Sequence, residues 1–307
     1  MTAETDAAET GDDIVQPFLI ETSQLRGRLV RLGSVVDTIV SRHDYPDVVS
    51  EILAETIVVA GILASGLKYD GVFTLQTKGD GAVPTMVVDV TSDGEVRGYA
   101  KVVVERLPEA ATAAVPVLLG QGHLAFTVDQ GEHTQRYQGL VALAGESVAE
   151  CIQHYMRQSD QLDSGIKVAV GRRDGAWRAS GLMVQRLPDE APGRVAMSNV
   201  EQDDWRRAMV LMGSATSDEL LDPDLPPRQL LYRLFHEDGV RVYRPRDVRA
   251  GCRCSRERVT RVLTNLPAGE VAELKEPDGT LAVVCEFCHA EYRFTADELM
   301  VLARPDA

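Results

Sequence analysis

The sequence is short of positive charge: 32 lysines and arginines face 47 aspartates and glutamates, a formal net charge of −15. Long-range repulsion from such a surface opposes approach to nucleic acid or an anionic membrane, so neither is expected as a general partner. A membrane-length apolar run is also lacking. The most apolar stretch, TIVVAGILASGL at 56–67, is bounded by Glu55 and Lys68. As a helix it would rise only ~18 Å against a hydrocarbon core of ~30 Å, which predicts a buried core helix and no membrane span. The opening thirteen residues, MTAETDAAETGDD, carry five acids and no base. They have neither the basic nor the apolar region of a secretory signal, so a cytoplasmic location is expected, where thiols stay reduced. This stretch reads as a solvated, disordered acidic tail over residues 1–16. No internal repeat is visible.

What is present is ample core material, 44% hydrophobic with 26% charged residues, in a length that suits two domains or one domain with an appendage. Helices are predicted at 46–68 and 147–158, and strands at 72–77, 85–90, 96–104, 124–128, 135–143, 166–171 and 177–184. Turn signals separate them: KGDG at 78–81, TSDGE at 91–95, DQGE at 129–132 and RRDG at 172–175. Hairpins outnumber strand–helix–strand units, so the expected fold class is α+β. An N-terminal antiparallel-sheet and helix domain spans 17–190, a helical linker 191–238, and a small C-terminal domain 239–307. The linker begins near LPDEAPG (187–193) and has helical patterns at 203–214 and 227–236, split by LLDPDLPP (220–227). Its stripe of Leu230, Leu231, Leu234 and Phe235 is too small for its own core and is expected to lie over the N-terminal domain. The last region predicts a helix at 256–266, a hairpin at 281–284 and 290–294, and a capping box, TADE at 295–298, opening a final helix.

Cysteine is scarce, and its placement is informative. Four of the five thiols lie in CRC (252–254) and CEFC (285–288). A Cys-x-x-Cys pair at a hairpin turn can aim two sulfurs at one metal, and in an extended Cys-x-Cys segment residues i and i+2 project to one side. Cys252, Cys254, Cys285 and Cys288 are therefore the expected ligands of a tetrahedral Zn²⁺ site, in a region small enough to need such a staple. The bland reading is an inert structural zinc; a variant substitutes His289 for one thiol; an extracellular disulfide framework lacks a secretory signal. Eight arginines between 241 and 261 face only Asp247 and Glu257, a formal local charge of +6. That charge can favour oxidisable thiolates, or it can be a solvated face or a nucleic-acid patch.

These residues carry a resemblance. CRCSRERV (252–259) and VVCEFCHAEYRF (283–294), with EVRGYA (95–100), GLVALAGESVAE (139–150), YMRQSDQ (155–161) and ASGLMVQRLP (179–188), resemble the heat shock protein 33 family of redox-regulated chaperones. The likeness spans nearly the whole chain except the acidic tail. It implies an ATP-independent holdase, not an enzyme, inactive while the four reduced cysteines hold zinc. Oxidation would form Cys252–Cys254 and Cys285–Cys288 disulfides, release the metal, unfold the C-terminal region and destabilise the linker. The exposed surface would then bind unfolding client proteins, and the oxidised form would be a homodimer. Cys151 is an extra thiol outside the family motif, expected to be buried and reduced.

Competing functions are a nucleic-acid-binding protein with a structural zinc module, motivated by the arginines, and a thiol-disulfide oxidoreductase using Cys285 and Cys288. The latter motif normally opens a helix in a βαβ setting. GESVA (145–149) lacks the second glycine of a serine nucleophile elbow, and Ser147 with Glu150 reads as a helix cap. His43, His123, His133, His154 and His236 show no metal spacing, and Trp177 and Trp205 read as packing residues.

Overall fold

Alternating apolar and polar residues through the N-terminal two-thirds give strands with one face to bury, and the chain meets this with two antiparallel-rich sheets sharing a helix. The computed structural model describes residues 11–110, 112–130, 137–159, 163–186 and 199–302. They divide into two compact units, Met1–Ala250 and Gly251–Ala307. The architecture is α+β.

The first unit opens with β1 (Ile14–Ile20), β2 (Leu25–Leu32), α1 (Ser34–Val40) and α2 (Asp47–Ser65), followed by the meander β3 (Val72–Gly79), β4 (Thr85–Thr91) and β5 (Glu95–Lys101). Next come α3 (Val115–Leu118), β6 (Gly122–Asp129), β7 (Tyr137–Ala142), α4 (Val148–Gln158), β8 (Ser164–Arg173) and β9 (Ala176–Gln185). Three helices, α5 (Asn199–Gly213), α6 (Ser217–Leu221) and α7 (Pro227–Phe235), lead to the short strands β10 (Val240–Val242), β11 (Arg246–Asp247) and β12 (Arg249–Ala250). One sheet runs β10-β1-β2-β9-β8 with β11 also on β1; the other runs β12-β5-β4-β3-β6-β7. The β12–β5 pair is parallel.

The α2 helix has 19 residues, longer than its most apolar stretch, so length and composition alone would let it cross a membrane. Its side chains are instead buried in the principal core, with Val30 and Leu32 of β2, Phe73 and Leu75 of β3, Val88 of β4 and Met183 of β9. The Thr56 hydroxyl is satisfied by the Ile52 carbonyl at 2.7 Å, so the helix carries that polar group into the core without loss.

The opposite face of the first sheet is covered by α5–α7. Phe18, Leu25, Leu29, Leu182 and Val184 form a second core with Leu230, Leu231, Leu234 and Phe235, as the helical stripe predicts. The Phe18 and Phe235 rings stack at 5.6 Å between centroids. A polar clamp fixes the proline-rich break between α6 and α7. The buried Arg31 guanidinium donates to the carbonyls of Asp222 and Leu225. Arg178 Nε donates to the Leu221 carbonyl at 2.8 Å, and its Nη2 reaches both carboxylate oxygens of Asp12 at 2.6 Å.

Two stretches read from charge or composition behave differently in the structure. Residues 12–16 are not a free tail. Asp13 accepts from the Gly33 and Val35 amides and the Ser34 hydroxyl, so it caps α1, and β1 begins at Ile14. Residues 1–10 lie outside those described, as do residues 131–136, where the expected DQGE turn (129–132) ends and the expected strand at 135–143 begins, and residues 187–198, where the linker is expected to begin. The segment 239–250, read as part of the cysteine region, instead forms strands of the first unit. Pro17 explains their break: it has no N–H to donate, and β10 and β11 pair with β1 on either side of it. The buried Gln16 side chain bridges the gap, donating from Nε2 to the Tyr243 carbonyl at 2.6 Å. Gly94, at φ +90°, leaves space for the Asp247 carbonyl, letting the segment reach β5.

The second unit contains α8 (Arg256–Asn265), α9 (Ala268–Glu273), the hairpin β13 (Leu281–Val284) and β14 (Glu291–Phe294), and α10 (Ala296–Leu302). Its buried core consists of Leu263, Leu281, Phe294 and Leu299. A core that small needs another source of stability.

Candidate metal centre

The hairpin of the second unit delivers one pair of thiols. Cys285 donates its backbone N–H to the Ala290 carbonyl at 2.9 Å, and His289 returns an amide hydrogen bond to the Cys285 carbonyl at 2.9 Å. His289 sits at φ 56°, and this left-handed residue closes the turn that carries Cys285 and Cys288. Cys252 and Cys254 arrive on the irregular segment before α8, whose N-cap Ser255 accepts from the Arg258 amide at 3.3 Å. Arg256 then ties α8 to the hairpin side. Its guanidinium donates to the Arg293 carbonyl at 2.8 Å and Glu298 at 2.7 Å, and lies 4.4 Å above the Phe294 ring.

All four expected sulfurs meet: the Sγ atoms of Cys252, Cys254, Cys285 and Cys288 lie within 4.8 Å of one another. The short contacts run between the clusters, Cys252 to Cys285 at 3.7 Å and Cys254 to Cys288 at 3.3 Å. Sulfurs tetrahedrally arranged at ~2.3 Å from a metal are ~3.8 Å apart, whereas a disulfide brings them to ~2.05 Å. The four thiols are unbonded and spaced for a shared cation. His289 is exposed and outside this group.

Crowding sulfurs together disfavours their ionisation. Burial first, and then the neighbouring thiols, push Cys288 up to about 12, and Cys285 also rises chiefly through burial. A divalent cation inverts that logic, since a coordinated thiol is deprotonated outright. Tyr292 was not singled out by the sequence reading. Its hydroxyl donates to Cys254 Sγ at 3.1 Å, a bond that pushes the phenol up to about 12. The strand alternation EYRF held the signal: Tyr292 and the buried Phe294 are two apart on β14 and share a face.

The fifth thiol is elsewhere. Cys151 lies in α4, fully buried in the first unit's core, and burial raises it to about 11. Ser147 caps α4, accepting from the Glu150 amide at 3.2 Å, so it is no nucleophile elbow. The arginine-rich segment is partly neutralised within the chain. Arg241 pairs with Glu21 at 2.5 Å, Arg249 with Asp93 and with Glu95 at 3.5 Å, and Arg256 with Glu298 at 2.7 Å. Cys285 and Cys288 occupy a strand–strand turn and do not open a helix.

The family model described as Hsp33 protein matches residues 13–295. The chain is 39% identical over 298 residues to a 33 kDa chaperonin of Caulobacter vibrioides, covering 94% of this chain and 97% of that protein. It is 35% identical over 287 residues to a 33 kDa chaperonin of Escherichia coli, covering 94% of each. The crystal structure of a 33 kDa chaperonin, a heat shock protein 33 homolog from Thermotoga maritima, superposes with a TM-score of 0.78 at 25% identity, covering 94% of this chain and 97% of that one.

Proposed function

The chain belongs to the Hsp33 family, and from that premise we propose that it is an ATP-independent holdase chaperone switched by its four clustered thiols. The observation that carries the reading is the convergence of Cys252, Cys254, Cys285 and Cys288 within 4.8 Å in a unit whose core, among the described residues, has four buried members. Zn²⁺ held by these four sulfurs would cross-link the two cysteine segments and keep them as thiolates. All-thiolate donors suit zinc better than the oxygen-seeking cations.

Oxidation replaces long-range links with local ones. Each thiolate pair, Cys252 with Cys254 and Cys285 with Cys288, would give two electrons to a peroxide molecule that takes two protons from solvent, yielding one S–S bond and two waters. The donors are then withdrawn from the metal. The sulfur contacts that now join the two clusters, 3.7 and 3.3 Å, are exchanged for bridges that close only very short loops. Such loops restrict the unfolded chain little and no longer hold the second unit together. Loosening of α5–α7 would uncover Phe18, Leu29, Leu182 and Val184 on the sheet and Leu230, Leu231, Leu234 and Phe235 on the helix. Contiguous apolar surface of that kind binds unfolding proteins and can pair with a second copy. The net charge of −15 helps keep the opened form dispersed in the cytoplasm.

The ion pairs of Arg241, Arg249 and Arg256 favour this reading over a nucleic-acid module. The experiment is a zinc and free-thiol count before and after peroxide under mild unfolding, beside an aggregation assay with a denatured client. Zinc loss, loss of four thiols and suppression of aggregation are expected together. Zinc loss without suppression refutes the switch, and a stoichiometric zinc content in Cys285→Ser refutes the ligand set.

A further inference from the structure

Between the two sheets of the first unit, beside the last turn of α2, lies a cavity of about 220 Å³. Phe73, Phe126, Ile152, Met156 and Met183 line it, and Arg28 and Gln185 supply polar groups. Arg28 belongs to β2, on the face turned toward α2 and away from the linker helices. Its place is set by Gly66, the residue that caps α2: a Cβ there would stand 3.1 Å from Arg28 Nη2.

Among the described residues the arginine has no counter-charge. On the same two sheets Arg31 and Arg178 meet Asp12, and Arg97 meets Asp89. Arg28 has no hydrogen-bond or ion-pair partner among the described residues, and its charged neighbours Arg26 and Arg246 are of the same sign. Burial first, then those two arginines, hold it below the ordinary arginine value. The end of α2 offers only the partial negative charge of a helix C-terminus. A half-buried guanidinium at the edge of an apolar cavity is complementary to a single planar anion with an apolar tail, since its fork binds a carboxylate through two parallel hydrogen bonds.

We infer that this cavity is a binding site for a carboxylate on an unbranched alkyl chain, the anion held by Arg28 and the chain packed among Phe73, Phe126, Ile152, Met156 and Met183. The volume equals the liquid share of about seven waters, which suits a chain of about eight carbons. The site lies wholly in the first unit and uses none of the four clustered thiols, so it is independent of the redox proposal.

The test is titration of the reduced full-length protein with hexanoate, octanoate, decanoate and dodecanoate by calorimetry, with carboxyl-¹³C octanoate followed by NMR. Saturable one-to-one binding is expected, tightening about fourfold per added methylene up to octanoate and levelling near decanoate. Octanol should bind at least tenfold more weakly than octanoate. Arg28→Gln should raise the octanoate Kd at least tenfold, Arg28→Lys less, and Ile152→Phe should shift the preference to shorter chains. Unfolding curves check that each variant is folded. Equal affinity for octanol and octanoate, an unchanged Kd in folded Arg28→Gln, or an unchanged chain-length preference in Ile152→Phe overturns the proposal. Affinity that keeps rising through dodecanoate overturns it too, because that is surface adsorption.

Discussion

Glu55 shows how one buried carboxyl makes stability depend on pH. It sits on α2 and accepts a hydrogen bond from the Ala149 amide at the start of α4, at 2.9 Å. Burial raises it from 4.5 to about 6, and the hydrogen bonds at α4 only partly offset that. The folded state therefore holds this proton more tightly than the unfolded chain does. The contribution is complete below the unfolded value of 4.5 and is lost as pH rises through about 6. The full loss is about 2 kcal/mol. Glu55→Gln keeps a carbonyl for Ala149 and should gain stability over wild type as pH rises from 4 to 7.5, read from urea midpoints. A difference constant across that range contradicts the assignment. Asp12 is the second residue to test. It faces Arg178 at 2.6 Å and the 1%-exposed Arg31 at 3.7 Å, so Asp12→Ala leaves buried positive charge without its counter-ion. A loss of about 3–5 kcal/mol is expected in urea unfolding. Charge counting read this aspartate as tail because its partners lie on β2 and β9, and composition carries no information about a contact 166 residues away.

At the scale of elements, the helices of the linker were legible and the strands after them were not. The spacing of Leu230, Leu231, Leu234 and Phe235 is a side-chain pattern, and it marks α7 and its buried face correctly. Strands β10 to β12 have two or three residues each, and their bonds are backbone bonds to β1 and β5. Such pairing leaves no periodicity to read. Pro17 hid β1 for a related reason, since proline argues against a central strand unless the neighbouring ladder is interrupted there. The α6 helix did carry a readable cue, the Thr216–Glu219 capping box, which the proline-rich context overshadowed. Phe235 is the side chain on which the linker's attachment is best measured. It is fully buried and stacks on Phe18. Phe235→Ala should cost about 3–5 kcal/mol. On the proposed mechanism it should also suppress client aggregation at lower peroxide than wild type; an unchanged peroxide requirement despite that destabilisation would separate α7 from the switch.

For the whole molecule, the four-thiol cluster was the most legible feature, because cysteine spacing is written in the sequence while the supporting Tyr292 and Arg256 contacts depend on the folded hairpin. If the thiols hold zinc as proposed, the two units should differ in how they respond to its loss. Among the described residues, the first has two extensive cores and the second four buried apolar residues. Hydrogen exchange after chelation and thiol oxidation should show protection lost across α8 to α10 while α2 and β3 stay protected; simultaneous loss in both units would contradict a locally stapled C-terminal unit. The short strands between α7 and Gly251 add a mechanical ordering to this picture. A pull originating in a melted C-terminal unit meets the two-residue pair of β12 with β5 first, then β11 on β1, then β10 on β1, and only afterwards α7. These pairings are short and lie in series along the chain. On the proposed switch, a brief excursion at Gly251 would re-zip before the apolar face beneath α7 is exposed.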